Sequence, residues 1–196
     1  MIYVEKILFL GYENCKLHNF LKQHYNVIQT NKKITVKNLK NIDHIISFGY
    51  KHIIKEDVIK SFDNKMINLH ISYLPYNKGA NPNFWSFFNN TPKGVTIHYI
   101  DKGIDTGDIL LQKEVKFKDE EDTLSKTYNR LIEEIQNLFI ENHFRILNNM
   151  IKPIPQQGKG TFYYKKDLQK HKHLLTENWE NEEIKKLMRK KNSDEF

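Results

Sequence analysis

A chain of 196 residues, 39% of them hydrophobic, with 10 Tyr and 12 Phe, can bury one substantial core, which excludes the disordered class. Its formal charge of +7, from 31 Lys and Arg against 24 Asp and Glu, favours anionic partners without choosing among nucleotides, folates and nucleic acid. The lone cysteine, Cys15, excludes an internal disulfide and a Cys-x-x-Cys zinc site, and fits a reducing cytoplasm.

The opening stretch 1–10 breaks its apolar run with Glu5 and Lys6 and offers no small-residue cleavage site, unlike a signal peptide. No run elsewhere approaches membrane-spanning length, so the chain reads as soluble, with no membrane partner. Residues 6–11 form an apolar run ending in Gly11 and predict a buried strand leading into a tight turn. A helix is predicted over 15–25, strands at Val27-Ile28 and over 42–49, and a short amphipathic helix over 55–62. Strand, helix, strand at this spacing implies a parallel sheet with right-handed crossovers. Gly11-Tyr12-Glu13-Asn14 lacks the Gly-x-Gly-x-x-Gly fingerprint, so dinucleotide binding is not supported.

The next predicted strand, 66–70, carries Asn68 and His70. Side chains at i and i+2 leave a strand on one face, so an amide donor and an imidazole can address a single carbonyl. The carboxyl edge of such a sheet is where ligands bind. Two prolines and a glycine within 74–83 predict an irregular loop, and a short helix is predicted from Asn83. Strands over 94–100 and 109–115 flank the loop Gly103-Ile104-Asp105-Thr106-Gly107-Asp108, which brings a carboxylate. The longest helix is predicted over 123–148, with Leu124, Leu131, Ile135 and Leu138 at helical spacing and Asp122 or Thr123 as its cap.

Past Gly160 the character changes to a strand-like aromatic piece, 161–164, and a charged tail. The tail balances both signs and reads as a solvated helix pair rather than a nucleic-acid arm, despite Lys185, Lys186, Arg189, Lys190 and Lys191.

Taken in order, Asn68-Leu69-His70, Leu74-Pro75, Gly79, Pro82, Trp85, Gly94-Val95-Thr96-Ile97-His98 and Asp105-Thr106-Gly107-Asp108 resemble the folate-dependent formyltransferases, over roughly residues 6–150. The resemblance implies an α/β, Rossmann-like fold with a mostly parallel central sheet flanked by helices. It also implies a catalytic domain over 1–150, one strand-helix unit shorter than in larger relatives, and a C-terminal extension over 151–196.

The implied activity is transfer of a formyl group from 10-formyltetrahydrofolate to an amine. Preorganised donors would stabilise charge on the former carbonyl oxygen. Asn68 is implied as an amide donor there, His70 as a second donor or proton carrier, and Asp105 as the group that orients the imidazole. His98 reads as a hydrogen-bonded core or supporting histidine two strands away, and Asp108 as a turn residue. No metal is expected, because no spacing matches a ligand set and the transfer needs none.

The folate pocket is implied at Tyr50, His52, Ile53 and Ile54, with Ile100, Asp101 and Gly103 on the opposite wall. The loop 76–85 resembles that of the small sugar N-formyltransferases, so a nucleotide-linked amino sugar for surface polysaccharide biosynthesis is the favoured substrate. Lys78 could meet the diphosphate, and Asn81, Trp85 and Tyr163 the base or sugar, although the aromatics suit a core equally well. Glycinamide ribonucleotide and methionyl-tRNA are the alternatives; the 46 residues after Met150 are few for a tRNA-holding domain. Outside catalysis, a folate- or RNA-binding module on the same fold remains open, though no stacking motif or one-faced basic stripe supports nucleic acid. A homodimer through the aromatic segment after Gly160 is possible.

Overall fold

The computed structural model describes residues 4–62, 66–117 and 122–194, so expectations for 1–3 and for the last two residues lie outside the described residues. The chain divides into two units, each drawn from three stretches. The first comprises Met1–His70, Thr96–Leu111 and Ile135–Gln156; the second comprises Ile71–Val95, Gln112–Glu134 and Gln157–Phe196.

The first unit is built on strands β1 (Lys6–Gly11), β2 (Asn26–Thr30), β3 (His44–Phe48) and β4 (Ile67–His70). Strands β1, β2, β3 and β4 are mutually parallel where they pair. Helix α1 (Lys16–His24) connects the first pair, and α2 (Glu56–Lys60) precedes β4, as the strand-helix alternation predicts. Cys15 caps α1, its Sγ accepting from the His18 amide, while Leu17 and Leu21 supply the buried stripe. The interior of β1 is apolar on both faces, and Ile7, Leu8, Phe9 and Leu10 are all buried.

Strand β6 (Gly94–Tyr99) then pairs antiparallel with β4, and β7 (Ile109–Glu114) follows at the sheet edge, in the order β2-β1-β3-β4-β6-β7. The expectation of a mostly parallel sheet flanked by helices is met, with the direction reversing at β6. One core cluster of this unit is aliphatic: Leu8, Leu10, Ile34, Leu39, Ile42, Ile45, Val58 and Met66. Each such side chain contributes about 1.5–3 kcal/mol by leaving water. Helix α4 (Leu124–Leu147) runs close to its predicted bounds, with the Thr123 hydroxyl accepting from the Lys126 amide.

The second unit departs further from expectation. Within the supposed irregular loop, Lys78–Gly79 forms β5 and pairs in parallel with β8 (Phe162–Tyr163), eighty-odd residues away. Helix α3 (Pro82–Phe88) starts with Pro82 in its first turn, where its missing N–H costs nothing. The tail is not a simple helix pair: a 3₁₀ stretch, Lys165–Leu174, and a 3₁₀ turn, Trp179–Asn181, precede α5 (Ile184–Asp194). The core here is Phe84, Trp85 and Phe88 against Leu124, Leu174, Ile184 and Leu187. Among the described residues no helix is long and apolar enough to cross a membrane.

Candidate active site

The first unit gathers Asn68, His70, His98 and Asp105. Parallel pairing of β4 with β3 places Asn68 opposite Ser47, and the antiparallel register with β6 places it opposite His98. His98 is therefore on the adjacent strand, not two strands away, and directly across from Asn68. Its Nδ1 lies 2.7 Å from the Tyr99 carbonyl oxygen, which can only accept, so Nδ1 carries the proton and a neutral ring turns the Nε2 lone pair toward Asn68. Asn68 Nδ2 is 3.2 Å from that Nε2 and 3.2 Å from Asp105 Oδ1, and Nε2 is 3.5 Å from the same Oδ1.

The other carboxylate oxygen, Oδ2, is 3.6 Å from His70 Nδ1. Asp105 thus bridges the two residues that the sequence singles out on β4. His70 is 8% exposed and His98 2%, so the contacts around the carboxyl group have little competing water. One refinement follows for Asn68. Both of its amide hydrogens have acceptors in this structure, so a donor bond to a reacting oxygen must replace one of them.

The loop that delivers Asp105 is braced from within. The Asp101 carboxylate accepts from the Gly103 amide at 3.0 Å and the Thr106 hydroxyl at 2.6 Å. Gly107 lies against the sheet, where an added Cβ would sit 1.9 Å from the Tyr99 carbonyl oxygen. Asp105 itself takes φ 53°, a left-handed backbone that a short polar side chain tolerates better than most. Asp101 and Gly103, expected on a folate wall, thereby have clear structural parts in the loop.

The other residues expected at the folate also belong to the first unit. Tyr50, Ile54 and Ile100 pack on the aliphatic cluster. The Tyr50 hydroxyl donates to the Lys32 carbonyl and accepts from the Ile34 amide, and the His52 ring contacts the Asn31 carbonyl through Nε2. Ile53 is 76% exposed and Ile104 38%, large aliphatic side chains left in water. Among the described residues no three His, Cys, Asp or Glu side chains are arranged to hold a metal ion.

The expected substrate residues all fall in the second unit. Lys78 and Asn81 are partly exposed, and Asn81 lines a cavity of about 380 Å³ with Phe84, Ser125, Tyr128 and Trp179. Trp85 is a core residue at 2% exposure, stacked on Tyr163 at 4.0 Å and met edge-on by Phe84 and Phe88. The Tyr163 hydroxyl accepts from Asn89. Sequence reasoning missed Gln156, whose amide reaches the Asp105 loop; the Pro-Gln-Gln-Gly context carries no signal of that partner.

Comparison with known proteins gives a consistent family. Residues 17–142 match the family described as formyl transferase. The crystal structure of the formyltransferase PseJ from Anoxybacillus kamchatkensis, in complex with UDP-4,6-dideoxy-4-formamido-L-AltNAc and tetrahydrofolate, is 47% identical, with a TM-score of 0.87 over 94% of this chain and 98% of that one. Among curated sequences, a methionyl-tRNA formyltransferase of Thermodesulfovibrio yellowstonii is 36% identical over 65% of this chain and 42% of its own length. One from Clostridium tetani is 30% identical over 86% and 56% respectively. The chain spans about half the length of the curated relatives it matches. It belongs to the formyl transferase family.

Proposed function

We propose that this protein transfers the formyl group of 10-formyltetrahydrofolate to the amine of a nucleotide-linked amino sugar, a UDP-linked 4-amino sugar being the first candidate. The observation that carries the proposal is the 47% identity to PseJ over nearly the full length of both chains, a structure that holds a UDP-linked formamido sugar and tetrahydrofolate. The convergence of Asn68, His70 and Asp105 supports it independently. Bound folate would supply the activated formyl group; Tyr50, His52, Ile53 and Ile54, with Ile100, Asp101 and Gly103, are the residues proposed to hold it.

During transfer the formyl oxygen gains negative charge, and donors already aimed at it lower the barrier most. Asn68 donates one Nδ2 hydrogen, released from Asp105 Oδ1 or His98 Nε2, while His70 serves as the proton carrier. Asp105 faces His70 Nδ1 through Oδ2, which leaves Nε2 to take the proton of the attacking amine. As the amine nitrogen bonds to the formyl carbon and the bond from that carbon to N10 of the folate breaks, the imidazolium, paired with the carboxylate, gives that proton to N10. The substrate groove is proposed in the second unit, with Lys78 for the diphosphate and Asn81 and Tyr163 for the base or sugar; Trp85 would act as support beneath Tyr163. A product for surface polysaccharides, and a cytoplasmic setting, follow from such a substrate.

The named sequence relatives favour a second reading, methionyl-tRNA as acceptor. Incubating the protein with 10-formyltetrahydrofolate and, separately, UDP-, dTDP- and GDP-linked amino sugars and methionyl-tRNA separates the two. Mass gain of one formyl group on a nucleotide sugar is the expected result. Product on methionyl-tRNA alone overturns it.

A further inference from the structure

We infer that Gln156 is a positioning residue for formyl transfer: it holds the backbone of the loop that presents the Asp105 carboxylate, a role that rests on the functional reading above. Its Nε2 donates to the Asp105 carbonyl at 2.8 Å and to the Gly107 carbonyl at 2.9 Å, so both hydrogens of one primary amide clasp the loop on either side of Thr106. The opposite orientation of the amide would set Oε1 against two carbonyl oxygens, which fixes the assignment. Oε1 is itself buried, with no hydrogen-bond partner among the described residues.

Gln156 reaches this position by register. Ile154 and Ile109 form an antiparallel bridge, with N to O distances of 2.8 and 2.9 Å in the two directions. Continued two residues along each chain, that register sets Gln156 opposite Gly107. Position 107 carries no side chain, and its backbone lies on the Tyr99 carbonyl. Asp101 braces the front of the same loop through Gly103 and Thr106. Asp101 holds Gly103 and Thr106 whereas Gln156 holds the carbonyls of Asp105 and Gly107, so the two braces grip different atoms of the loop.

The consequence for chemistry is geometric. Asp105 has φ 53°, and its side-chain oxygens sit 3.2 Å from Asn68 and 3.6 Å from His70 only while the backbone stays in that left-handed turn. Removing the donor pair takes two hydrogen bonds from the loop and lets the turn relax, which moves the carboxylate away from both partners. Displacements of about 1 Å at reacting groups can cost on the order of 100-fold in rate. Gln156 touches neither reacting atom, so the loss belongs in kcat rather than in KM.

The test uses the intact protein with Gln156→Met, which keeps length and volume without donors, and Gln156→Glu, which keeps shape but presents oxygens to the two carbonyls. If the donor pair matters, both variants lose about 10- to 100-fold in kcat with KM for the amine and folate affinity within about twofold of wild type, and Gln156→Glu is at least as impaired as Gln156→Met. If Gln156 merely fills space, Gln156→Glu behaves like wild type, which overturns the inference. Amide hydrogen exchange over 103–108 is measured in parallel and needs no turnover. Faster exchange there in either variant supports the brace, and unchanged exchange overturns it. A wild-type protein that formylates no acceptor would defeat the functional reading alone, because the exchange result still decides whether Gln156 holds the loop.

Discussion

The aliphatic cluster of the first unit and the aromatic cluster of the second fill comparable roles with different chemistry. Leu8, Leu10, Ile45 and Met66 lie on strands or at their ends, so each side chain is placed by a ladder of backbone hydrogen bonds. Phe84, Trp85 and Phe88 leave one short helix and meet Leu174, Ile184 and Leu187 from a tail that is largely 3₁₀ turns and one helix. Aromatic rings suit that second task because one ring covers a large area and makes oriented contacts with several neighbours. The lesson is that the first unit can spend strand faces on polar chemistry, whereas the second depends on its rings simply to cohere.

The sharpest way to break this contrast is at Trp85. Trp85→Ala is expected to remove about 3–5 kcal/mol of stability, read by denaturant unfolding. Should the variant stay stable while its KM for the nucleotide sugar rises, the ring is a substrate platform and not a structural one.

In the first unit the expectation is reversed. Asn68→Ala and His70→Ala are expected to lower kcat by about 100- to 1,000-fold, near 3 kcal/mol of barrier, with unfolding midpoints close to wild type. Wild-type turnover in either variant would remove that residue from the site. Gly107→Ala tests the loop between these extremes. Its methyl would collide with the Tyr99 carbonyl oxygen, and the resulting strain is expected to cost about 1–3 kcal/mol together with a fall in kcat.

The smallest effect is expected at the tail. Glu182 accepts hydrogen bonds from Lys190 and Thr176, the Lys190 contact being the largest cause of a pKa below the usual glutamate value of 4.5. A depressed folded pKa means that the stabilisation is present above 4.5 and fades as pH falls through the folded value. Glu182→Gln should therefore lower the melting temperature slightly at neutral pH, by less than about 1 kcal/mol of stability, and not at all in strong acid. An acid-independent difference would place the effect in packing.

Legibility followed the range of the interactions. Alternation and helical spacing were enough for β1, β3, β4 and α4, because each is specified by its own residues. Asn68 and His70 were readable as a pair since two residues apart on a strand is a statement about one face. The position of His98 was misjudged because nothing local says that the chain returns beside β4 and not beyond it; only the antiparallel register puts it across from Asn68. The β5–β8 pairing and the Gln156 clasp were invisible for the same reason, each joining segments far apart, the first through backbone atoms on both sides and the second through a side-chain amide onto backbone carbonyls that any sequence would possess.

The Asp101–Thr106 brace, seen from outside the loop, divides labour between neighbouring positions. Odd jobs of anchoring fall to residues 101, 103, 106 and 107, while Lys102 and Ile104 are left facing solvent. Variation at those two outward positions can therefore retune what the loop meets without disturbing where its acid is held, and they are the natural sites at which to diversify a library or graft a different recognition surface.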